Sequence, residues 1–148
     1  MAISWTSFWV CFGWYFYPTW QPDYLEEVHH YRPEGWESEV LTGLPFLCGA
    51  FGALGGGALS DRLIRRVGPR WGRSLIGLFG FTGAGLCVMA TGFVPYPHSW
   101  AAVALLCLAF LINDLAIPVI WATCADVGGR FAGSLSGAMN MIGAVGAI

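Results

Sequence analysis

Asn113 and Asp114 stand side by side in an otherwise apolar stretch, 100–124, with Pro118 one turn further on. An ionisable group in hydrocarbon is costly and faces a bundle interior or a water-filled path. The pair therefore has two readings: a polar point on a ligand or ion path, or a helix-capping or inter-helix hydrogen bond at a proline kink. Asn140, in "GAMNMIG", has the same choice between a site residue and hydrogen-bonding glue between helices. Trp14, Tyr15, Tyr17, Thr19 and Trp20 have types that line a ligand cavity, and types that form an interfacial aromatic belt. Glu26, Glu27, His29 and His30 have a helical spacing compatible with a metal, but exposed loop histidines are the ordinary alternative, and no metal or cofactor is expected. The five cysteines are odd in number and lack a C-x-x-C, so they read as buried apolar thiols. No H-E-x-x-H, G-x-S-x-G or paired His/Asp set is present, so the chain does not read as an enzyme.

The elements that must position these residues follow from composition. Apolar residues make up 56% of the 148-residue chain and charged residues 11%, with a mean hydropathy of +0.60. A soluble domain has about a quarter of its residues charged. Residues 40–59 and 74–94 contain no Asp, Glu or His and no arginine. About 20 helical residues cross a hydrocarbon core of about 30 Å. Beta-barrel strands would alternate over about 10 residues, and that pattern is missing. The expected fold class is all-α integral membrane, with full spans at about 3–20, 40–59, 74–94 and 100–124. A fifth apolar segment, 135–148, has only 14 residues, which leads to the expectation of a truncated chain. Segment 3–20 has neither a basic leader nor a small-residue cleavage site, and so reads as a span and not a signal peptide. Gly43, Gly49, Gly52, Gly55, Gly56 and Gly57 crowd the second span, and Gly77, Gly80, Gly83 and Gly85 the third. Such residues let helix backbones approach closely in lipid.

Charge is gathered in one place. The chain has seven arginines and no lysine, and five of them, Arg62, Arg65, Arg66, Arg70 and Arg73, lie in the segment 61–73. Basic loops face the cytoplasm. Loop 61–73 is therefore expected inside, with Arg130 in a second inner loop. The loop 21–39, with six acids and one arginine, is expected on the extracytoplasmic side. The N-terminus then starts in the cytoplasm. A net charge of −2 excludes a basic nucleic-acid-binding surface.

Gly57, Ser60, Asp61, Arg62, Arg65 and Arg66 form G-x-x-S-D-R-x-x-R-R. This resembles the loop signature of the major facilitator superfamily, G-x-x-x-D-[RK]-x-G-[RK]-[RK], with Ile64 standing where the strictest form has glycine. The family carries the signature once per six-helix half, more loosely in the second, so the departure favours the second half. "WYFYPTWQPDYL" is similar to the end of the seventh helix in the anion:cation symporter branch. "NDLAIPVIWATCADVGGRFAGSLSGAMNMIG" is similar to that branch's tenth helix, inner loop and eleventh helix. The resemblance implies helices seven to eleven of a C-terminal half, the last incomplete.

It also implies a function. A secondary transporter of this type moves a small organic anion, a sugar acid or another carboxylate, by H⁺- or Na⁺-coupled alternating access in a bacterial inner membrane. Trp121 and Asn140 match positions that contribute to the organic-anion site; Tyr15, Tyr17 and Asp114 are further substrate-site candidates. Gly57, Asp61, Arg62, Arg65 and Arg66, with Arg130 as the partner of Asp61, are implied as a conformational latch near Gly133 and Ser134. The arginine and acids for anion binding and coupling belong to the N-terminal half, so the chain is expected to require that half. The alternative is a small autonomous polytopic membrane protein acting as an assembly partner.

Overall fold

The computed structural model describes residues 2–28, 30, 35–95 and 97–146. All regular structure among them is helical: α1 (Ala2–Glu27), α2 (Trp36–Val67), α3 (Pro69–Thr91), α4 (Ser99–Asp114), α5 (Ile117–Gly128), a 3₁₀ turn (Gly129–Phe131) and α6 (Ala132–Gly146). Three helical stretches are long and apolar enough to cross a membrane, 39–67, 69–91 and 99–146. The last, 48 residues, would extend about 72 Å as one straight helix, far beyond a single crossing. Helix α1 is not among the three.

Several boundaries differ from the sequence expectation. The segment 61–73, expected as a loop, is helical except at Gly68. Arginine is a good helix former, and Arg65 and Arg66 lie in the last turn of α2, where positive charge complements the helix dipole. Gly68, at φ 84, joins α2 to α3 alone; it donates its N–H to the Ile64 carbonyl at 3.0 Å, and Pro69 opens α3. That left-handed conformation suits glycine, and a proline at the first helical position lacks the N–H that would have no partner there. Helix α1 runs on to Glu27, into the expected outer loop, and the single span expected over 100–124 is broken at Leu115 and Ala116.

The chain divides into two compact units, 24–119 and 1–23 with 120–148. In the first, α4 lies between α2 and α3. A Cβ on Gly52 would strike the Leu111 carbonyl oxygen, and one on Gly56 the Leu115 carbonyl oxygen. From the other side, a Cβ on Gly80 would stand 3.1 Å from the Ala116 methyl, and one on Gly83 3.1 Å from Ile112 Cγ2. The glycines are thus the surface on which α4 rests, which is why Ala102, Val103, Leu106, Ala109 and Phe110 are buried around much of its circumference. At the end where α2 and α4 begin, Leu25 packs with Leu41, Val103 and Cys107. Beside it Tyr24 donates its hydroxyl to the Thr91 carbonyl at 2.8 Å. Burial raises the Tyr24 phenol above its ordinary pKa of 10.0, so it stays protonated as a donor.

In the second unit α6 turns Met139, Gly143 and Gly146 inward. A Cβ on Gly143 would stand 2.8 Å from Cys11 Sγ and 2.9 Å from Ser7 Oγ, and one on Gly146 would strike the Phe8 carbonyl. Small residues again set a close approach, here between α1 and α6. Helices α5 and α6 meet where Cys124 Sγ and Ser136 Oγ lie 3.4 Å apart.

Gly52→Ala and Gly56→Ala each press a methyl onto the α4 backbone. Each is expected to cost about 1–3 kcal/mol, seen as a lower unfolding midpoint by circular dichroism in detergent. Gly77→Ala, whose Cβ meets nothing within 4 Å, is expected to hold or raise the midpoint.

Candidate functional site

The break between α4 and α5 starts with Pro118. Proline has no N–H to give to the carbonyl four residues back, and its ring crowds that carbonyl, here Asp114. The ladder ends with two turns: Leu115 N–H to the Leu111 carbonyl at 3.3 Å, and Ala116 N–H to the Asn113 carbonyl at 3.1 Å. Asn113 and Asp114 therefore occupy the end of α4, where the chain leaves helical geometry.

Their side chains meet. Buried Asn113 donates from Nδ2 to Asp114 Oδ1 at 3.1 Å. The Asp114 carboxyl lies on the α2 side of α4: a Cβ on Gly49 would stand 2.5 Å from Asp114 Oδ2 and 2.8 Å from Phe110 Cδ1. Phe46 packs on Phe110 with ring centroids 5.0 Å apart and closes one side of this corner. The result is one carboxyl, oriented by an amide, in a space made by an absent side chain. It can hold a proton or accept hydrogen bonds. Gly49 belongs to this site, although the sequence shows it only as one packing glycine among several. Only the register of α2 on α4 separates it from its neighbours.

The remaining substrate-site candidates lie in the second unit. Trp121 on α5 and Asn140 on α6 are exposed, Asn140 lying off the inward face of Met139, Gly143 and Gly146. Tyr15 is exposed at 47% and Tyr17 is buried at 5%. Two residues apart is about 200° around a helix, so the two tyrosines do not share a face. Trp5, Phe8, Trp9 and Phe12 stack along one side of α1, with successive centroids 5.5–6.1 Å apart.

The signature residues occupy the last three turns of α2. Ser60 is buried, Gly57 half-buried, and Asp61, Arg62, Arg65 and Arg66 are exposed. Arg130 is exposed in the 3₁₀ turn, its guanidinium 4.7 Å from the Phe131 ring centroid. Asp61 belongs to the 24–119 unit and Arg130 to the other. Among the described residues no group of three or more His, Cys, Asp or Glu is placed to hold a metal ion. His29, part of the metal reading, lies outside the described residues.

Comparison with known proteins decides the family. The Major Facilitator Superfamily pattern matches residues 1–148. The chain belongs to the major facilitator superfamily. Membership places it among transporters and not enzymes. A protein of Cupriavidus necator, named as a probable sulfoacetate transporter, is 33% identical over 133 residues. That alignment covers 88% of this chain and 30% of the relative, so the chain spans about a third of the length of the protein it matches. No solved structure matches the chain.

Pro118→Ala supplies the missing N–H for the Asp114 carbonyl. Amide hydrogen–deuterium exchange over 114–120 is expected to slow by about tenfold, the worth of one net hydrogen bond. Unchanged exchange would mean that packing, not the proline, holds the break.

Proposed function

We propose that the chain is part of a secondary active transporter that moves a small organic anion across a bacterial inner membrane by alternating access, coupled to H⁺ or Na⁺. The observation that carries this reading is the 33% identity to a protein named as a sulfoacetate transporter, within a superfamily match over the whole chain. Sulfoacetate bears a carboxylate and a sulfonate, and the substrate proposed here is an acid of that size, either a sulfonate or a carboxylate such as a sugar acid.

The chain's own residues suit half of such a site. Five of its seven arginines flank the α2–α3 junction and Arg130 lies in the 3₁₀ turn, and none falls in the stretches 40–59, 74–94 or 100–124. The positive charge that binds the anion then comes from the N-terminal half of the transporter. Trp121, Asn140 and Tyr15 would offer an aromatic surface and neutral hydrogen bonds. Tyr17, buried in α1, would contribute only on rearrangement. Asp114, the one carboxylate in the apolar stretch 100–124, is the proposed coupling-ion position on this side, presented by Asn113 and Gly49.

In this reading the α2–α3 junction faces the cytoplasm and the N-terminus starts there. Asp61, with Gly57, Arg62, Arg65 and Arg66 around it, would pair with Arg130 near the start of α6, where the helix dipole favours a carboxylate by about 0.3–1 kcal/mol. The pair would hold the cytoplasmic side closed and break when the two halves rock.

Uptake of labelled sulfoacetate and of a hexonate into liposomes holding the whole transporter tests the proposal. Uptake of one of them, driven by an inward H⁺ or Na⁺ gradient, is the expected result. Trp121→Ala and Asn140→Ala should raise KM about tenfold, the worth of about 1.4 kcal/mol. Asp61→Asn should lower the rate with little change in KM. Absence of gradient-driven uptake of any sulfonate or carboxylate would overturn the reading.

A further inference from the structure

The glycine contacts fix the register of α2 on α4. Gly52 meets the Leu111 carbonyl and Gly56 the Leu115 carbonyl, so residues on this face of α2 meet the α4 residue 59 positions later, and the two helices run parallel. One turn earlier the same register sets Cys48 against Cys107, and a turn before that Leu44 against Val103. The packing agrees: Leu44 and Cys48 both lie against the cluster containing Val103 and Cys107. Cys48 and Cys107 thus stand at facing positions of the two packed helices. Both are free, Cys107 buried and Cys48 half-buried. A disulfide needs Cα atoms about 4.4–6.8 Å apart, and the backbone contact at Gly52, one turn away, brings the two helices close at this level.

We propose that Cys48 and Cys107 form an oxidisable dithiol, a site at which a small apolar disulfide converts two thiols into a covalent α2–α4 staple. One protein sulfur, giving up its proton, attacks a sulfur of the reagent, and the first reagent thiol leaves with that proton. The second protein sulfur then attacks the protein-side sulfur of the mixed disulfide, and the second reagent thiol leaves with the second proton. The cysteines lose two electrons and two protons in total, and the reagent's S–S bond is reduced to two thiols. The surroundings choose the reagent. Leu25, Leu41, Leu44 and Val103 give an apolar approach with no arginine, which favours an uncharged disulfide over a charged one such as oxidised glutathione. Among the other cysteines, Cys124 has the Ser136 hydroxyl as its neighbour and Cys11 lies against Gly143, neither beside a second thiol in these contacts. The proposal concerns the 24–119 unit and stands whatever the chain transports.

The test treats membranes containing the chain with 4,4′-dithiodipyridine, quenches with N-ethylmaleimide, and identifies linked and alkylated cysteines by mass spectrometry after denaturation. The expected product is a Cys48–Cys107 linked peptide with no pyridyl adduct on either residue, and both become alkylatable again after dithiothreitol. Oxidised glutathione should leave all five free. Cys48→Ser and Cys107→Ser should each abolish the linked peptide, and the triple variant C11S/C87S/C124S should retain it, which shows that loss in the single variants is not a general folding failure. Linkage between any other pair, or stable pyridyl adducts on Cys48 or Cys107 that do not close to a disulfide, would overturn the proposal.

Discussion

In the 24–119 unit, α4 rests on two helix faces from which side chains have been removed. In lipid, helices gain nothing by hiding apolar surface from one another, because the tails around them are equally apolar. Association depends on van der Waals contact at short range, and on few competing side chains. Gly52 and Gly56 supply this on α2, and Gly80 and Gly83 on α3. Because the contact reaches backbone carbonyls of α4, it fixes the axial position of the helix as well as its distance. The neighbourhood of Asp114, the facing thiols and the Leu25 cluster all follow from that single register.

The same economy appears in the unit built from α1, α5 and α6. Gly143 and Gly146 bring α6 against Ser7, Cys11 and the Phe8 carbonyl, while Trp5, Trp9, Phe12, Tyr15 and Trp20 of α1 stay exposed. Polar chemistry in both units is sparse and neutral or acidic within the helices, and basic only at their ends.

Much of this was legible in the sequence, for identifiable reasons. Long runs without charge imply helices in a membrane, and the spacing Gly52-x-x-x-Gly56 implies a packed face. The Gly57–Arg66 signature led to the family. What was not legible was anything that depends on register between helices. Gly49 is indistinguishable from Gly43 in the sequence, yet one lies against the Asp114 carboxyl and the other meets nothing within 4 Å. Tyr15 and Tyr17 look like a pair, yet helical geometry turns them apart. Helix ends were misjudged where good helix formers carry charge. The arginine segment was expected as a loop because charge marks the membrane boundary, but charge does not end a helix. Gly68 does. Pro118 showed where α4 would be disturbed, and the break falls at Leu115 and Ala116, between the ring and the Asp114 carbonyl that it leaves without its N–H.

The arginine-rich junction also has an electrical consequence. Segment 61–73 carries five arginines against Asp61, a net +4, on two helices joined by one residue. Moving a unit charge through a membrane potential is worth about 2.3 kcal/mol per 100 mV. Transfer of this junction from the negative to the positive side of an energised membrane would therefore oppose the field by roughly 9 kcal/mol per 100 mV, before any cost of desolvation. Because α2 and α3 turn on Gly68 alone, there is no slack through which the charges move one at a time. A junction of this charge resists crossing as a unit, and so keeps the end of α2 and the start of α3 on one side of an energised membrane.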